Sequence, residues 1–425
     1  MSARPTCALS LLCLVQASER FAFFAILPFF VLYLEHHHGV SEHGAVLLLG
    51  VFLAWSYLAC LLGGALADRG IGRFGSMLFG AILLACGYAA LALDYPLLLG
   101  PALILQIAGH GLFKPGISVS MGALYRAEDS RRERGFLVQH MAVNLGAIAG
   151  PLFGEWSRTR GWSEVFAWAT TSMLVAVVIL LLGRHRLLAE SVSPQPTSLD
   201  LADDVSSQAR VQTIRLLCAI GVIFWLTAQQ AGTSLALFAE FHTHRSWRLF
   251  RRVVTFGPGH FASLHGLLVL ALLPLLLSVF SFLRRRGCEP STFSKMIWGY
   301  LATAAAFAIM GLASLRGGDG GRVDAIWLSS CYALLSLAEL LLAPMSLSLV
   351  TQLAPPRQTS RMVGLWFATT AVGNVLAGAA GLLWGRWTNH AYFATLALSA
   401  LGAAAMLLTR YRRLNQVLRL GRRPT

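Results

Sequence analysis

Charge is scarce in this chain. Only 12% of its 425 residues are Asp, Glu, Lys or Arg, against 56% that are apolar, whereas a soluble globular chain carries about 25% charge. With a mean hydropathy of +0.64, that shortfall excludes a soluble multidomain protein of this length. Lysine is nearly missing, since of 34 basic residues only Lys114 and Lys295 are lysines. The arginines cluster between apolar runs, so the net charge of +15 suits loops facing an anionic leaflet. Helix-turn-helix, zinc-finger and aromatic-rich basic sheet patterns are all missing, and a nucleic-acid partner is not expected. The seven cysteines contain no Cys-x-x-Cys spacing, and five of them (Cys13, Cys60, Cys86, Cys218 and Cys331) sit inside apolar runs. They read as small core hydrophobes, not as a disulfide frame or metal site. With no Walker loop, pumping by ATP is not expected, and no nucleophile–base constellation points to an enzyme. The first apolar stretch lacks a small-residue cleavage site and runs on into Tyr33, which predicts a retained first helix and not a signal peptide.

What is present is a series of apolar runs of spanning length, about 20 residues each. They fall near 8–34, 45–67, 74–93, 97–124, 135–155 and 165–183, and then near 214–238, 263–283, 293–314, 325–352, 361–385 and 391–409. Between the two sets lies a polar stretch from Glu190 to Arg210 in which nothing could sit in lipid. The expectation is an all-α integral membrane protein of twelve transmembrane helices, with six-helix bundles at 1–183 and 214–425 joined by a cytoplasmic linker at 184–213. Placing both termini inside assigns 22 basic residues to inner loops and tails and nine to outer loops, with Arg20, Lys114 and Lys295 inside helices. That asymmetry predicts cytoplasmic termini. Four of the outer nine fall in RSWRLFRRVV, Arg245 to Val254. The stretch reads either as a segment along the outer interface or as an ordered hydrophilic loop.

Ionisable residues inside such spans are the informative ones, because each costs about 2.5–3.5 kcal/mol at the bilayer centre on insertion scales. In the first span Gln16, Glu19, Arg20, Phe23 and Leu27 share one helical face; Glu19 and Arg20 either serve the bundle interior or neutralise each other. In the fourth, Gln106, His110, Lys114 and Ser118 recur every four residues. An ammonium there can lose its proton on burial where a guanidinium does not; the other reading is a lysine that reaches for an interface. The tenth span carries Tyr332, Ser336 and Glu339 on one face, Glu339 being the only carboxylate in the second set of spans. It either balances Lys114 or packs as a neutral carboxyl. Trp225, Gln229 and Thr233 in the seventh span, Asn144 in the fifth and Trp366, Thr370 and Asn374 in the eleventh are polar-face candidates of lower information. The run His36, His37, His38 and His43 has no matched acidic or sulfur ligands nearby, so no metal is expected. The glycines at 63, 64, 70, 72 and 75 favour close helix packing over a phosphate cradle.

GGALADRGIGRFGSMLFGAIL, Gly63 to Leu83, resembles the loop between helices two and three of major facilitators. ERFAFF at 19–24, GLFKPGIS at 111–118, VNLGAIAGP at 143–151, FWLTAQQAGTSL at 224–235, CEPSTFSK at 288–295, AELLLAPMSLSLVTQLAP at 338–355 and WFATTAVGNVLAG at 366–378 resemble the proton-dependent oligopeptide transporters. The likeness runs in order over nearly the whole chain and implies the major facilitator fold without the two helices many bacterial members insert between halves. It also implies proton-coupled uptake of di- and tripeptides or peptide-like solutes by alternating access, with no cofactor beyond the coupling proton. A monomer in lipid is implied as well. Glu19, Arg20, Lys114 and Glu339 match the family's coupling residues, and Asp68, Arg69 and Arg73 a cytoplasmic gate. Phe23, Phe24, Tyr57, Lys114, Asn144, Trp225, Gln229, His265, Glu339, Trp366 and Thr370 fall where substrate is held. The chain departs from the family at Gln16 and Gln229, where carboxylates are the rule, and at Leu27, where an arginine is. It departs again at Phe23 and Phe24, tyrosines elsewhere, and at His265, an asparagine elsewhere. These changes admit two alternatives: a member repurposed for a less zwitterionic solute, or a non-transporting sensor or scaffold on the same fold.

Overall fold

The computed structural model describes residues 6–126, 129, 131–189, 204–244, 246–249, 252–255, 258–318 and 321–420. Helix dominates them. The first span is α1 (Thr6–Ile26) continued by α2 (Phe30–His36). Between them Pro28, which lacks a backbone donor, draws Leu27–Phe29 into a tighter turn. Ser41 starts α3 (Glu42–Leu66) by accepting the Gly44 N–H at 3.3 Å. A wide turn at Ala67–Ile71 leads into α4 (Gly72–Ala92), with Gly72 at φ 70°. Then follow α5 (Leu99–Ala123), α6 (Arg132–Arg158) and α7 (Trp162–Ala189).

In the second half α8 (Asp204–Ala228) and α9 (Ser234–Phe241) are separated by a 3-10 turn at Gln229–Gly232. After them come α10 (Pro258–Arg285), α11 (Thr292–Gly317, capped by Ser291), α12 (Ala325–Leu353), α13 (Thr359–Gly381), α14 (Asn389–Thr409) and the short α15 (Tyr411–Leu420). Eleven continuous stretches of the described residues are long and apolar enough to cross a membrane; one, Gly44–Ala92, holds both α3 and α4, so the crossings number twelve. Leu182 is 81% exposed, and Leu97, Leu62 and Leu382 are nearly as open. Such outward leucines belong against lipid tails. This is a multi-pass membrane protein of the twelve-helix plan.

The described ends of the expected linker are helical, since α7 runs to Ala189 and α8 begins at Asp204. Arg184, His185 and Arg186 are polar but sit in the last turns of α7, where cations complement the helix carbonyl end; polarity there does not end the helix. Residues 190–203 of the linker lie outside the described residues, as do Arg245, Phe250 and Arg251 of the outer basic stretch. What is described of that stretch is an antiparallel pair, β2 (Ser246–Leu249) with β3 (Arg252–Thr255), preceded by β1 (Thr243–His244) in parallel with β4 (Val323–Asp324). The loop reading is the nearer one, with strand pairing added.

Two compact units divide the chain. One groups the residues up to Arg215 with Leu347–Ala371, and the other comprises Leu216–Ser346 and Val372–Arg419. The first is packed around Phe30, Tyr33, Tyr88, Phe113, Phe136 and Phe166, and the second around Phe238, Phe307, Tyr332, Tyr392 and Phe393.

Candidate functional site

The first unit holds a buried polar cluster on α1, with contributions from α3, α5 and α6. Glu19 is 1% exposed, and Arg20 grips it with both ends of its fork: Nε to Oε2 and Nη2 to Oε1, each at 2.5 Å. Of the two readings of this pair, mutual neutralisation is what the geometry has. Gln16 donates to Glu19 Oε2 at 3.1 Å and accepts from Gln139 Nε2 of α6 at 3.3 Å. An ionised glutamate at position 16 could not donate to Glu19; the amide adds one more hydrogen bond to a carboxylate whose two oxygens Arg20 already engages. His110 Nδ1 lies 3.2 Å from Glu19 Oε1, an ion-pair distance without hydrogen-bond alignment. The imidazole stands edge-on to Phe23 at 5.1 Å.

Lys114, 4% exposed, is one turn further along α5. Its Nζ finds no hydrogen-bond partner among the described residues and rests 3.9 Å above the ring of Tyr57, with Phe23 at 5.6 Å. An ammonium over an aromatic face gains about 2 kcal/mol when desolvated. That stabilises the cation while leaving all three of its donors unused. Arg20 meanwhile faces Phe23 and Phe24 at 5.1 and 5.9 Å. Glu19, Arg20, Phe23, Phe24, Tyr57 and Lys114 are thus brought together by the fold. Asn144 is not bound into this cluster by any hydrogen bond, its side chain bonding back to the His140 carbonyl at 3.0 Å. Trp366 and Thr370 belong to the same unit and are each 2% exposed.

At the end of this unit where the arginine-rich loops fall, Asp68 accepts the backbone N–H groups of Ser360 at 3.0 Å and Arg361 at 2.8 Å. These are free donors of the first turn of α13, which an anion satisfies. Arg69 is exposed and Arg73 half-buried, so of the three expected gate residues Asp68 is the one tied to α13. Gly64 faces the Ser360 carbonyl and Gly63 that of Gly111, both closer than a Cβ allows. Gly63 and Gly64 serve close packing, whereas Gly70 and Gly72 have open space beside them and Gly72 takes a positive φ. A second tie escaped the sequence reading: buried Arg132 donates to the carbonyls of Gly122 at 2.7 Å and Tyr125 at 3.1 Å and to Thr351 Oγ1 at 2.7 Å. Its position at the start of an otherwise ordinary amphipathic helix gave no signal.

In the second unit His265 of α10 and Glu339 of α12 meet, Nε2 to Oε2 at 2.8 Å, with side chains 24% and 23% exposed. Ser336 Oγ lies 2.8 Å from His265 Nδ1. Trp225 Nε1 has no partner among the described residues. Gln229 is exposed, whereas its neighbour Gln230 is fully buried, its oxygen taking hydrogen bonds from Ser234 at 2.8 Å and Tyr392 at 2.8 Å. The i, i+4 series Leu226, Gln230 and Ser234 carried that signal; attention to Gln229 alone missed it. In the CEPSTFSK stretch, Glu289 is held by Lys295 at 2.8 Å and Arg284 at 2.6 Å. Partial burial opposes ionisation of Glu289, but those two hydrogen bonds prevail and keep its carboxyl below the usual range. Of the outer histidines, His37 touches Asp94 at 2.5 Å and His38 the Tyr33 hydroxyl at 2.8 Å.

The sequence pattern of the POT family matches residues 74–197 and 191–392. The chain belongs to the POT family. It is 29% identical to the peptide transporter YePEPT of Yersinia enterocolitica, over 88% of this chain and 87% of that one. It is 25% identical to a di-/tripeptide transporter of Lactococcus lactis subsp. cremoris, over 84% and 85%. Among solved structures, that of a POT family transporter in complex with a thioalcohol conjugated peptide covers 95% of this chain and 96% of its own at 23% identity, with a TM-score of 0.73. The fold read from the apolar runs, and the family read from the motifs, are those of these transporters.

Proposed function

We propose that this POT protein carries out proton-coupled uptake of di- and tripeptides or peptide-like solutes by alternating access. Its setting is a bacterial-type inner membrane, with both termini cytoplasmic and the chain acting as a monomer in lipid. The observation that carries the reading is Lys114, a buried cation with no hydrogen-bond partner among the described residues, at the position where the family has its fourth-helix lysine. A carboxylate on a substrate would supply the acceptor its three donors lack. Glu339, which meets His265 in the second unit, would take the substrate amine. The coupling set divides: Glu19 and Arg20 supply a balanced, fixed charge, while Lys114 and Glu339 supply charge that a zwitterion or a proton can redistribute. In the first unit Phe23, Phe24, Tyr57, Asn144, Trp366 and Thr370 would contact substrate, in the second Trp225, Gln229 and His265 would, and Asp68, with Arg69 and Arg73, would serve as the cytoplasmic gate. No cofactor enters; the coupling ion is the proton.

Uptake of labelled dialanine into proteoliposomes, with and without an inward proton gradient, tests this. Gradient-driven accumulation that Glu339→Gln abolishes is the expected result. Binding without flux would instead favour a sensor on the same fold. Transport of blocked but not free peptides would favour a less zwitterionic solute, a reading that Leu27 and the apolar Phe23 and Phe24 also support.

A further inference from the structure

Ser336 Oγ sits within hydrogen-bond reach of three acceptors: the Tyr332 carbonyl at 2.8 Å, the His265 carbonyl at 3.1 Å and His265 Nδ1 at 2.8 Å. A hydroxyl has one hydrogen and two lone pairs, so it chooses. If it donates to a carbonyl, its oxygen accepts from Nδ1, which must then carry a proton. The 2.8 Å contact between Nε2 and Glu339 Oε2 needs a proton of its own, because two lone pairs facing each other would repel. The pair is then either imidazolium with carboxylate or imidazole with carboxylic acid, and has no net charge. If Ser336 instead donates to Nδ1, the ring proton is on Nε2 and bonds the carboxylate, leaving one net negative charge. The two arrangements differ by one proton and one hydroxyl rotation, and the contacts of His265 with Ser336 and with Glu339 persist in both.

We infer that His265, Glu339 and Ser336 form a one-proton site, with Ser336 as the rotor that accommodates both of its states, and that this site carries the coupling proton. The assignment deepens the proposed peptide–proton reading and rests on it for the word coupling. In the first unit Glu19 has both oxygens engaged by Arg20 and Gln16, and the positions of the family's other carboxylates hold Gln16 and Gln229, which cannot cycle a proton. The proton is taken up from water at the Glu339 carboxyl, which is partly exposed, and is given up from the same carboxyl once alternating access has opened it to the other side. Nothing else is oxidised, reduced or transferred.

The surroundings suit a site that responds to one proton at a time. From α12 the ring of Tyr332 faces His265 at 6.1 Å, its hydroxyl donating to the Ala231 carbonyl at 3.3 Å. The Gln229–Gly232 turn contributes only neutral amides, and α9, packed against α10, carries one carboxylate, Glu240, in its last turn. The charged group acting on the imidazole is Glu339, joined by the Tyr332 carbonyl.

Histidine side-chain nitrogen NMR on the full-length protein in lipid nanodiscs tests the site without any substrate. Of the twelve histidines, His265 is assigned as the signal lost in His265→Asn or, should that variant not fold, as the signal displaced in Ser336→Ala. The expected result is an Nε2-protonated ring at high pH whose Nδ1 gains a proton as pH falls, with a midpoint that shifts by about one pH unit in Glu339→Gln, the size of a single close charge partner. A ring that keeps one protonation state from about pH 5 to 9, or that titrates identically in Glu339→Gln, would overturn the site; those limits bracket the ordinary imidazole range. The outcome is separate from the peptide reading. A protein that titrates this way yet ignores dialanine keeps the proton site and loses the peptide; one that accumulates dialanine with an inert His265 does the reverse.

Discussion

Each of the two units places one carboxylate beside a histidine in the interior of its spans, and they use the pair differently. In the first, Glu19 is closed in, 1% exposed and held by Arg20, Gln16 and His110. In the second, Glu339 keeps about a quarter of its side chain open and meets one imidazole whose other nitrogen rests on a hydroxyl that can turn. Burial with a full set of partners makes a fixed charge; partial exposure with a rotatable partner makes a charge that can come and go. A transporter needs both, the first to keep its bundle paired and the second to sense what arrives.

The difference predicts where substitutions hurt. Arg20→Ala strips Glu19 of its cation and should cost about 3–5 kcal/mol in stability, the toll of an uncompensated buried charge. Thermal unfolding in detergent would read this as a large fall in midpoint, and Glu339→Gln, in its wetter setting, should fall far less. Equal losses would erase the distinction between the two pairs. Gln16→Glu comes next. It replaces the donor at 3.1 Å from Glu19 with a second acceptor, and the lost hydrogen bond in a buried site is worth about 1–3 kcal/mol. Unfolding that becomes more sensitive to raised pH, as two neighbouring carboxylates ionise, would accompany it.

How much of this was legible beforehand divides along the same line. The apolar runs gave the twelve crossings, and four-residue spacing gave the stripe of Gln106, His110, Lys114 and Ser118, because both depend only on neighbours in the chain. The Glu19–Arg20 pair was visible as a possibility for the same reason. Asp68 meeting the start of α13, 292 and 293 residues away, was not. Nor was Arg132 meeting Thr351, since partners that far apart are set by packing and leave no periodic trace. Pro28 marked the break in the first span, yet the length of the apolar run hid it.

Smaller effects sharpen the picture. Asp68→Asn keeps an acceptor but removes the anion from the α13 N-terminus, a loss of about 1 kcal/mol, to be measured as a lowered unfolding midpoint; no change would reduce the contact to a bystander. The smallest is Glu289→Gln. Because the hydrogen bonds from Arg284 and Lys295 hold the Glu289 carboxyl below its ordinary 4.5, its contribution to stability is complete above that pH and fades as pH drops through the lowered folded value. Wild type and Glu289→Gln should therefore differ most near neutrality and converge in acid. Curves that stay parallel down to about pH 3, well below the ordinary carboxylate value, would remove Glu289 from the account.

The most direct measurement is the static accumulation ratio of dialanine in proteoliposomes under an inward gradient of one pH unit, with membrane potential clamped at zero. One coupled proton per peptide should hold the wild-type ratio near about tenfold, the equilibrium factor for one pH unit of proton free energy, and Glu339→Gln should bring it to unity. A wild-type ratio of unity, or a ratio unchanged in Glu339→Gln, would contradict the claim that the His265–Glu339 pair carries the proton that drives transport.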